Sequence, residues 1–322
     1  MRIVFIGSSG FGFRSLEKII DISRCKVVGI ITNRQTFRIS YSPHGFKNIL
    51  YADLSPLAKK NRIPIFLMKD KMSDPRIVGA IKRCLPDLIV VIGWYHHIPK
   101  IIRDIAPVVG LHASLLPDYS GGAPLVWAMI NGEKKTGITF FMFDKGVDGG
   151  PIIGQKQECI RIDDTIGTLY SRIERKGIKL LQEYLPRIAD GNVKLRQQDE
   201  SKRRIMPQRI PEDGEINWNN DVLTIYNFIR AQTKPYPGAF TYRKGKKLII
   251  WESRLCSLGG TFGSPGQVLK VVKNKNDGGF IISAKNNKEG LLITKVGTPS
   301  IDFMHATDYV KVYNLKEGEI LR

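Results

Sequence analysis

The sequence is poor in cysteine and has no long apolar run. Its four cysteines, Cys25, Cys84, Cys159 and Cys256, lie far apart in the sequence. Their spacing matches no disulfide or metal-binding motif, and no histidine that could act as a metal ligand lies near them. We therefore expect neither a disulfide scaffold nor a metal site, and a reducing cytoplasm fits best. The longest apolar run, Leu88 to Tyr95, is far shorter than the roughly 20 residues of a membrane-spanning helix. The N-terminal segment reaches glycine and serine too early for a signal peptide, so we expect a cytoplasmic protein with no membrane partner.

Acidic residues are also scarce. The 322 residues include 50 lysines and arginines against 30 acidic residues, a net charge of +20. Such an excess attracts nucleic acid, anionic membranes or phosphorylated small molecules. The excess is spread along the chain, so on charge alone a solvated basic surface is favoured over a nucleic-acid partner.

The first 190 residues alternate between buried strands and amphipathic helices. Continuous apolar strands, such as Arg2–Gly7, Lys26–Thr32 and Asp87–Gly93, are typical of a parallel sheet that helices cover on both faces. We therefore predict a doubly wound, Rossmann-like α/β domain over residues 1–190. Residues 33–54 have no period and are interpreted as a long loop. Further segments of the alternation are predicted at Leu54–Asn61, Pro64–Leu67, Arg76–Cys84, Val108–His112, Pro124–Asn131, Gly137–Phe143 and Thr165–Ile188.

The composition changes after residue 190. Residues 191–210 are charged, flanked by proline and aperiodic, which indicates a linker. Residues 211–322 contain one helical segment, Val222–Ala231, and then short strands separated by turn residues. A series of this kind predicts a small β-barrel of the OB type. The five strands are predicted at Ala239–Tyr242, Leu248–Trp251, Gly266–Val272, Gly279–Ser283 and Leu291–Val296.

A glycine-rich loop, Gly7–Gly12, follows the first strand and opens a helix. Backbone amides in this context hold phosphate groups. The spacing is not that of the dinucleotide fingerprint, and no carboxylate stands near Asn33 to bind a ribose hydroxyl. We interpret the loop as a tight turn with phosphate contact as the alternative, and a nicotinamide oxidoreductase is disfavoured.

The most informative stretch runs from Gly110 to Ile153. His112 ends a buried strand, and Asp148 lies in a glycine-lined turn after the next predicted strand. Ligands bind outside the carboxyl ends of parallel strands, where an imidazole and a carboxylate form an acid/base pair. From these residues alone, a buried structural histidine is an equal alternative.

The same stretch closely resembles the folate-dependent formyltransferases, whose members act on methionyl-tRNA, glycinamide ribonucleotide or amino sugars. Their shared pattern is Asn-x-His before Ser-Leu-Leu-Pro, a glycine-rich turn, a Thr-Gly-x-Thr strand and an Asp-x-Gly at the spacing found here. The resemblance extends to Ser55–Leu57, Pro211–Trp218 and Arg230–Phe240. It implies transfer of a formyl group from 10-formyltetrahydrofolate to a primary amine.

The resemblance also implies the roles of individual residues. His112 is the central catalytic residue, and Asp148 orients it and helps to remove the amine proton. Gly110 departs from the pattern, because family members commonly have asparagine there and the oxyanion therefore lacks a side-chain amide donor. The folate is expected to be bordered by Trp94, Tyr95 and His96, by Ser114, Leu115, Leu116 and Pro117, and by Asp144, Lys145, Gly146 and Val147.

Two acceptors are compatible with this chemistry. The turn Tyr119–Trp127, the stretch Asp53–Pro56 and the missing asparagine favour an amino sugar on a nucleotide diphosphate. The alternative is methionyl-tRNA formyltransferase acting on initiator tRNA, which the chain length, the barrel and the net charge of +20 support. The loop over 33–54 is thinly charged for a tRNA contact, with only Arg34, Arg38 and Lys47. A non-catalytic folate- or nucleic-acid-binding relic is a remote third hypothesis.

Overall fold

The computed structural model describes residues 1–39, 42–259, 263–274, 277–285 and 289–322. The chain forms two compact units. The first contains residues 1–122, 136–159 and 171–206, and the second contains residues 123–135, 160–170 and 207–322. Among the described residues no helix is both long enough and apolar enough to span a membrane.

Strands and helices follow one another along the whole chain. The strands are β1 (Arg2–Ile6), β2 (Lys26–Thr32), β3 (Thr36–Ile39), β4 (Ser42–Lys47), β5 (Ile65–Leu67), β6 (Leu88–Val91), β7 (Val108–His112), β8 (Ser120–Gly121), β9 (Lys135–Met142), β10 (Ile152–Cys159), β11 (Ile205–Met206), β12 (Ala239–Arg243), β13 (Lys246–Ser257), β14 (Val268–Val272), β15 (Gly279–Ser283), β16 (Glu289–Thr298) and β17 (Ile301–His305). The helices are α1 (Gly10–Ile20), α2 (Ser55–Lys60), α3 (Pro75–Arg83), α4 (Lys100–Arg103), α5 (Pro124–Ile130), α6 (Ile166–Ala189), α7 (Val222–Gln232) and α8 (Ala306–Val312), with 3₁₀ turns at Glu200–Lys202 and Pro211–Gly214.

The first unit is built on a seven-stranded sheet in the order β10-β9-β7-β6-β1-β2-β5. The pairs β1–β2, β1–β6, β2–β5 and β6–β7 are parallel. All four residues of β6 are buried, as expected for a strand covered on both faces. The strand order reverses at β1, between β2 and β6, so the doubly wound α/β prediction is confirmed.

Strand β9 departs from the parallel arrangement. It runs antiparallel to β7, with Thr139 opposite His112 and Met142 opposite Val109. The end of β9 therefore lies beside the beginning of β7, away from His112. The expectation that Asp148 follows a strand parallel to that of His112 is wrong. Asp148 nevertheless lies 3.4 Å from His112, on the turn between β9 and β10 that the hydrogen bond from the Met142 amide to the Pro151 carbonyl oxygen closes.

The segment over residues 33–54 is more ordered than a loop. Strands β3 and β4 form an antiparallel hairpin in which Thr36 pairs with Lys47. Phe37 of β3 is buried, and the Asn48 side chain after β4 donates to the Ser8 carbonyl oxygen at 3.1 Å. The interpretation as a long loop is wrong for the described part of this segment.

The second unit carries an antiparallel sheet with the path β12-β13-β16-β15-β14, and β17 pairs with β16. The five predicted strands and the helix α7 are confirmed, whereas β17 and α8 were not predicted. Helix α7 packs on the sheet through Ile225 and Ile229 in a core that includes Phe280 and Leu291. No pairing joins β12 to β14 within the described ranges, so closure into an OB-type barrel stays a prediction.

The segment predicted as a linker is partly structured. Strand β11, at residues 205–206, pairs in parallel with β8, and residues 191–206 belong to the first unit. A free linker over 191–210 is therefore not what the structure has, because hydrogen bonds fix the second half of that segment. The domain bounds 1–190 and 211–322 stay a prediction.

Candidate active site

His112 and Asp148 lie together, as predicted. The His112 Nδ1 atom is 3.4 Å from Asp148 Oδ2, and the two side chains are 11% and 20% exposed. On the other side of the ring, His112 Nε2 lies 2.7 Å from the carbonyl oxygen of Tyr119. Since a carbonyl only accepts, Nε2 carries a proton, and Nδ1 is the ring atom left to exchange one.

Asp148 is held by its backbone as well as its side chain. Its Oδ2 atom accepts a hydrogen bond from the Gly121 amide at 2.8 Å, and its φ of +53° lies in the left-handed region. Gly150 makes the return of the turn possible, because a Cβ there would stand 1.8 Å from the Met142 carbonyl oxygen. The carboxylate is thus aimed at His112 by a turn with little freedom.

Gly110 leaves no room for the asparagine side chain that the family resemblance implies at this position. An added Cβ would lie 2.5 Å from Phe143 Cε2 and 2.7 Å from the Val91 carbonyl oxygen. The Phe143 ring stacks on Phe141 at 5.0 Å between centroids, and Phe141 meets the His112 ring edge-on at 6.5 Å. The phenyl ring of Phe143 therefore fills the space in which a side chain at position 110 would begin.

The predicted folate-bordering residues fall into three groups. Trp94, Tyr95 and His96 follow the carboxyl end of β6, next to β7 in the sheet. The rings of Trp94 and Phe37 lie 5.3 and 4.9 Å from His96. Burial lowers the pKa of His96, so its neutral form is favoured. Phe37, which the sequence did not single out, completes this aromatic cluster.

Two polar atoms at this cluster lack partners. Trp94 Nε1 and Asn33 Oδ1 are buried and make no hydrogen bond within the described parts of the chain. Asn33 reaches His96 Nε2 only with its amide nitrogen, at 3.4 Å. The cluster therefore combines aromatic faces with an unused donor and an unused acceptor.

The second group, Ser114 to Pro117, is largely committed to the fold. The Ser114 hydroxyl donates to the Asp118 carbonyl oxygen at 2.6 Å. Leu116 is buried in a core cluster with Phe141 and Ile152. These two side chains shape the loop after His112, and Leu115 and Pro117 are the half-buried members.

The third group, Asp144 to Val147, lies in the turn before Asp148. Asp144 accepts a hydrogen bond from the Gly146 amide at 2.7 Å, whereas Lys145, Gly146 and Val147 are exposed.

Over the described chain, no three His, Cys, Asp or Glu side chains are placed to hold a metal ion.

Sequence reasoning missed the groups that hold the pair. Tyr119 and Gly121 contribute a carbonyl and an amide, which no side-chain pattern reveals. Gln198 donates to the Asp148 and Gly150 carbonyl oxygens, both at 2.7 Å. Arg203 donates to the Val147 carbonyl oxygen at 2.8 Å. Both side chains lie in the segment that was interpreted as a linker.

Comparisons with known proteins identify the family of the chain. The family model described as formyl transferase matches residues 1–185, and the model of the formyl transferase C-terminal domain matches residues 209–314. The chain belongs to the formyl transferase family. The predicted resemblance is thereby confirmed, and the chain is a formyltransferase.

Curated relatives match from end to end. Methionyl-tRNA formyltransferase of Clostridium acetobutylicum is 31% identical over 325 residues, covering 100% of both chains. Methionyl-tRNA formyltransferase of Acetivibrio thermocellus is 32% identical over 324 residues, covering 100% of this chain and 99% of the relative.

Solved structures share the fold at low identity. HypX from Aquifex aeolicus in complex with tetrahydrofolic acid has a TM-score of 0.65 and 18% identity, and the match covers 99% of this chain but 48% of HypX. The chain thus spans about half the length of HypX. WlaRD, a sugar 3N-formyl transferase crystallised with dTDP and 5-N-formyl-THF, has a TM-score of 0.61 and 19% identity over 91% of this chain and 97% of its own.

Proposed function

We propose that this formyltransferase moves the formyl group of 10-formyltetrahydrofolate to the methionyl amine of initiator Met-tRNA. The observation that carries the acceptor is the full-length match to relatives named methionyl-tRNA formyltransferase, at 31% and 32% identity. The amino-sugar acceptor that the sequence favoured has less support, because its structural neighbours are only 19% identical and share the fold alone. It is the second candidate.

His112 acts as the base for the reaction. Its Nε2–H is held by the Tyr119 carbonyl, so Nδ1 accepts the proton that the attacking amine releases. Asp148 Oδ2, 3.4 Å from Nδ1, stabilises the resulting imidazolium. The same proton then serves the leaving nitrogen when the bond to the formyl carbon breaks.

The aromatic cluster of Phe37, Trp94 and His96 fits the pterin ring of the formyl donor. The pyrimidinone ring of a reduced pterin is flat and carries hydrogen-bonding groups along its edge. The aromatic faces of Trp94, His96 and Phe37 and the unpaired Trp94 Nε1 and Asn33 Oδ1 match such a group. When bound there, the donor supplies the formyl group, and the neutral His96 can contact it without a desolvated charge.

Attack by the amine places negative charge on the formyl oxygen. Gly110 has no side chain that could donate a hydrogen bond to this oxyanion, so another group must stabilise it. Removal of one such donor costs about 10²–10³ in rate in other enzymes. We propose that the imidazolium of His112, formed as the amine loses its proton, supplies the positive charge. The neighbouring Phe141 and Phe143 rings limit water at the ring, which strengthens that interaction.

An acceptor panel tests the function. Purified enzyme is given 10-formyltetrahydrofolate with initiator Met-tRNA or with nucleotide-linked amino sugars, and formylated product is measured. We expect product with Met-tRNA. Turnover of an amino sugar without turnover of Met-tRNA would overturn the proposed acceptor, and no turnover of any acceptor would overturn the function.

Salt dependence gives a second test of the acceptor. A protein that makes six to ten phosphate contacts loses about 10³–10⁵ in affinity between about 50 and 200 mM salt. A steep rise of KM for tRNA is therefore expected, whereas a nucleotide diphosphate would show a shallow one.

Matched histidine variants test the base. We expect His112→Gln to lose at least about 10²-fold in kcat, and His305→Gln, an exposed histidine of the second unit, to keep wild-type activity. Equal kcat in His112→Gln and wild type would remove His112 from the mechanism.

A further inference from the structure

The segment from Gln198 to Met206, called here the 198–206 segment, touches the partners of both catalytic side chains. It approaches Asp148 through Gln198, Arg203 and strand β11, and it approaches the partner of His112 through Arg204. All of these residues belong to the first unit.

Arg203 is the central residue of this contact. Its side chain is 11% exposed and forms a two-pronged pair with Glu200, with two N–O distances of 2.6 Å. Its third nitrogen, Nη1, lies 2.8 Å from the Val147 carbonyl oxygen and 3.3 Å from Ser120 Oγ. One guanidinium thus joins the residue before Asp148 to the residue before Gly121, whose amide binds the Asp148 carboxylate.

Strand β11 fixes the Gly121 amide directly. The Ser120 amide donates to the Arg204 carbonyl oxygen and the Gly122 amide to the Met206 carbonyl oxygen, both at 2.9 Å. Gly121, between them, has a φ of +90°, and a Cβ there would stand 2.5 Å from the Met206 carbonyl oxygen. The amide is therefore turned toward Asp148 by its neighbours' bonds to β11.

Arg204 acts on the histidine side. It binds both Asp118 oxygens at 2.5 and 2.6 Å, and its guanidinium lies 4.5 Å from the centre of the Tyr119 ring. The Tyr119 carbonyl accepts from His112 Nε2, and Tyr119 has a φ of +53°. A residue with a bulky side chain rarely adopts this region, so surrounding contacts must hold it there.

We propose that Gln198, Arg203, Arg204 and strand β11 together form a positioning element of the active site, and that Arg203 is a positioning residue that acts through Asp148. It makes no contact with reacting atoms in this proposal. Its contribution is to hold the Asp148 turn and the Gly121 amide together, so that the carboxylate stays directed at His112. The proposal rests on the proposed function, since it assumes that His112 and Asp148 perform the proton transfer.

The experiment compares Arg203→Ala with Lys202→Ala in formyl transfer. Both variants remove one positive charge from adjacent positions, but Lys202 is 74% exposed and its ion pair is with Asp199. A displacement of about 1 Å in a catalytic group costs on the order of 10² in rate, so we expect kcat of Arg203→Ala to fall about 10- to 100-fold. KM for the formyl donor should stay near wild type, and Lys202→Ala should match wild type. Arg203→Lys should recover part of kcat, because lysine can still donate to the Val147 carbonyl.

A double-variant cycle separates positioning from general support of the fold. If Arg203 acts through the carboxylate, Arg203→Ala should cost less than about threefold when Asp148 is already asparagine. Equal losses in the two backgrounds would overturn the proposal. Gln198→Ala, which frees the carbonyls of Asp148 and Gly150, should behave in the same way and serves if Arg203→Ala does not fold.

A readout without any acceptor keeps this proposal distinct from the proposed function. NMR of histidine labelled with ¹⁵N reports the state of each ring nitrogen, and the His112→Gln variant assigns the signals. We expect Arg203→Ala to move the His112 signals and Lys202→Ala to leave them in place. Unchanged His112 signals in Arg203→Ala would overturn the positioning role, whereas inactivity of the wild-type enzyme with every acceptor would count against the function alone.

Discussion

Replacing Gly110 by asparagine would introduce the side chain that the family resemblance implies at this position, and we expect the replacement to damage this enzyme. The new Cβ would stand 2.5 Å from Phe143 Cε2 and 2.7 Å from the Val91 carbonyl oxygen. The first contact is with a ring that is itself stacked on Phe141. The second is with the backbone of β6, which pairs with β7 at this point.

The cost follows from the two contacts. Overpacking of a core costs typically about 1–3 kcal/mol. A loss of about 2 kcal/mol lowers Tm by roughly 4–8 °C in a domain of 150–250 residues. Movement of Phe143 also displaces Phe141, which meets the His112 ring edge-on. We therefore expect kcat to fall in Gly110→Asn even though an amide donor has been added.

Two matched variants separate the added volume from the added amide. Gly110→Ala adds the same Cβ without an amide and should lose about as much stability as Gly110→Asn. In the double variant Gly110→Asn with Phe143→Leu, the ring contact is removed and the Val91 contact stays, so part of the stability should return. Calorimetry gives Tm, and the formyl-transfer assay gives kcat for each variant.

The reasoning fails if Gly110→Asn alone keeps the wild-type Tm and raises kcat tenfold or more. Such a result would mean that Phe143 yields easily and that the wild-type site simply lacks a donor. A gain of kcat confined to the double variant would instead show that the amide is useful only after the ring has been removed.

Other contacts make independent predictions. The Arg243 guanidinium, with help from the Lys316 amide and Lys244, lowers the pKa of Glu319 from 4.5 to about 2. The stabilisation linked to this shift, up to about 3 kcal/mol, is full above pH 4.5 and is lost as the pH falls toward 2. Urea unfolding should therefore show a larger loss of stability for Arg243→Ala at pH 7 than near pH 2, where only the loss of its bonds to the Tyr313 and Asn314 carbonyls remains. Burial lowers the pKa of His96 from 6.5, so below pH 6.5 the unfolded chain binds a proton at this residue more readily than the folded chain does. Between pH 7 and pH 5, the wild type should therefore lose more stability than His96→Gln. Phe37→Ala removes the ring beside His96 and should raise KM for the formyl donor with little change in kcat.

The sequence predicted the elements of the fold well where one local rule decides them. Buried strands such as β6 consist of consecutive apolar residues, and α7 has apolar residues at helical spacing, so both were found within a residue or two. The direction of β9 was not predictable in this way, because parallel and antiparallel neighbours of a buried strand have the same apolar pattern. The hairpin β3–β4 was missed for a different reason. Strand β3 has only four residues, too few for a clear alternating pattern, and only Phe37 among its side chains is buried.

The site was predicted from its side chains and missed where it depends on the backbone. His112 and Asp148 were found because their residue types and spacing resemble a family pattern. Tyr119 contributes a carbonyl and Gly121 an amide, and every residue offers these groups. Their selection depends on the left-handed conformations of Tyr119, Gly121 and Asp148, which three-dimensional contacts impose.

The segment that imposes them was read as a linker because charged, aperiodic residues between prolines usually have no partners. In the first unit its charges are used in pairs: Arg203 with Glu200, and Arg204 with Asp118. Each pair anchors a side chain that also contacts the loops around His112 and Asp148, through the Val147 carbonyl for Arg203 and the Tyr119 ring for Arg204. A charged segment next to an active site can therefore hold the geometry of that site even when its composition is that of a linker. A substitution at Gln198, Arg203 or Arg204 should be judged by its effect on the His112–Asp148 distance before its effect on surface charge.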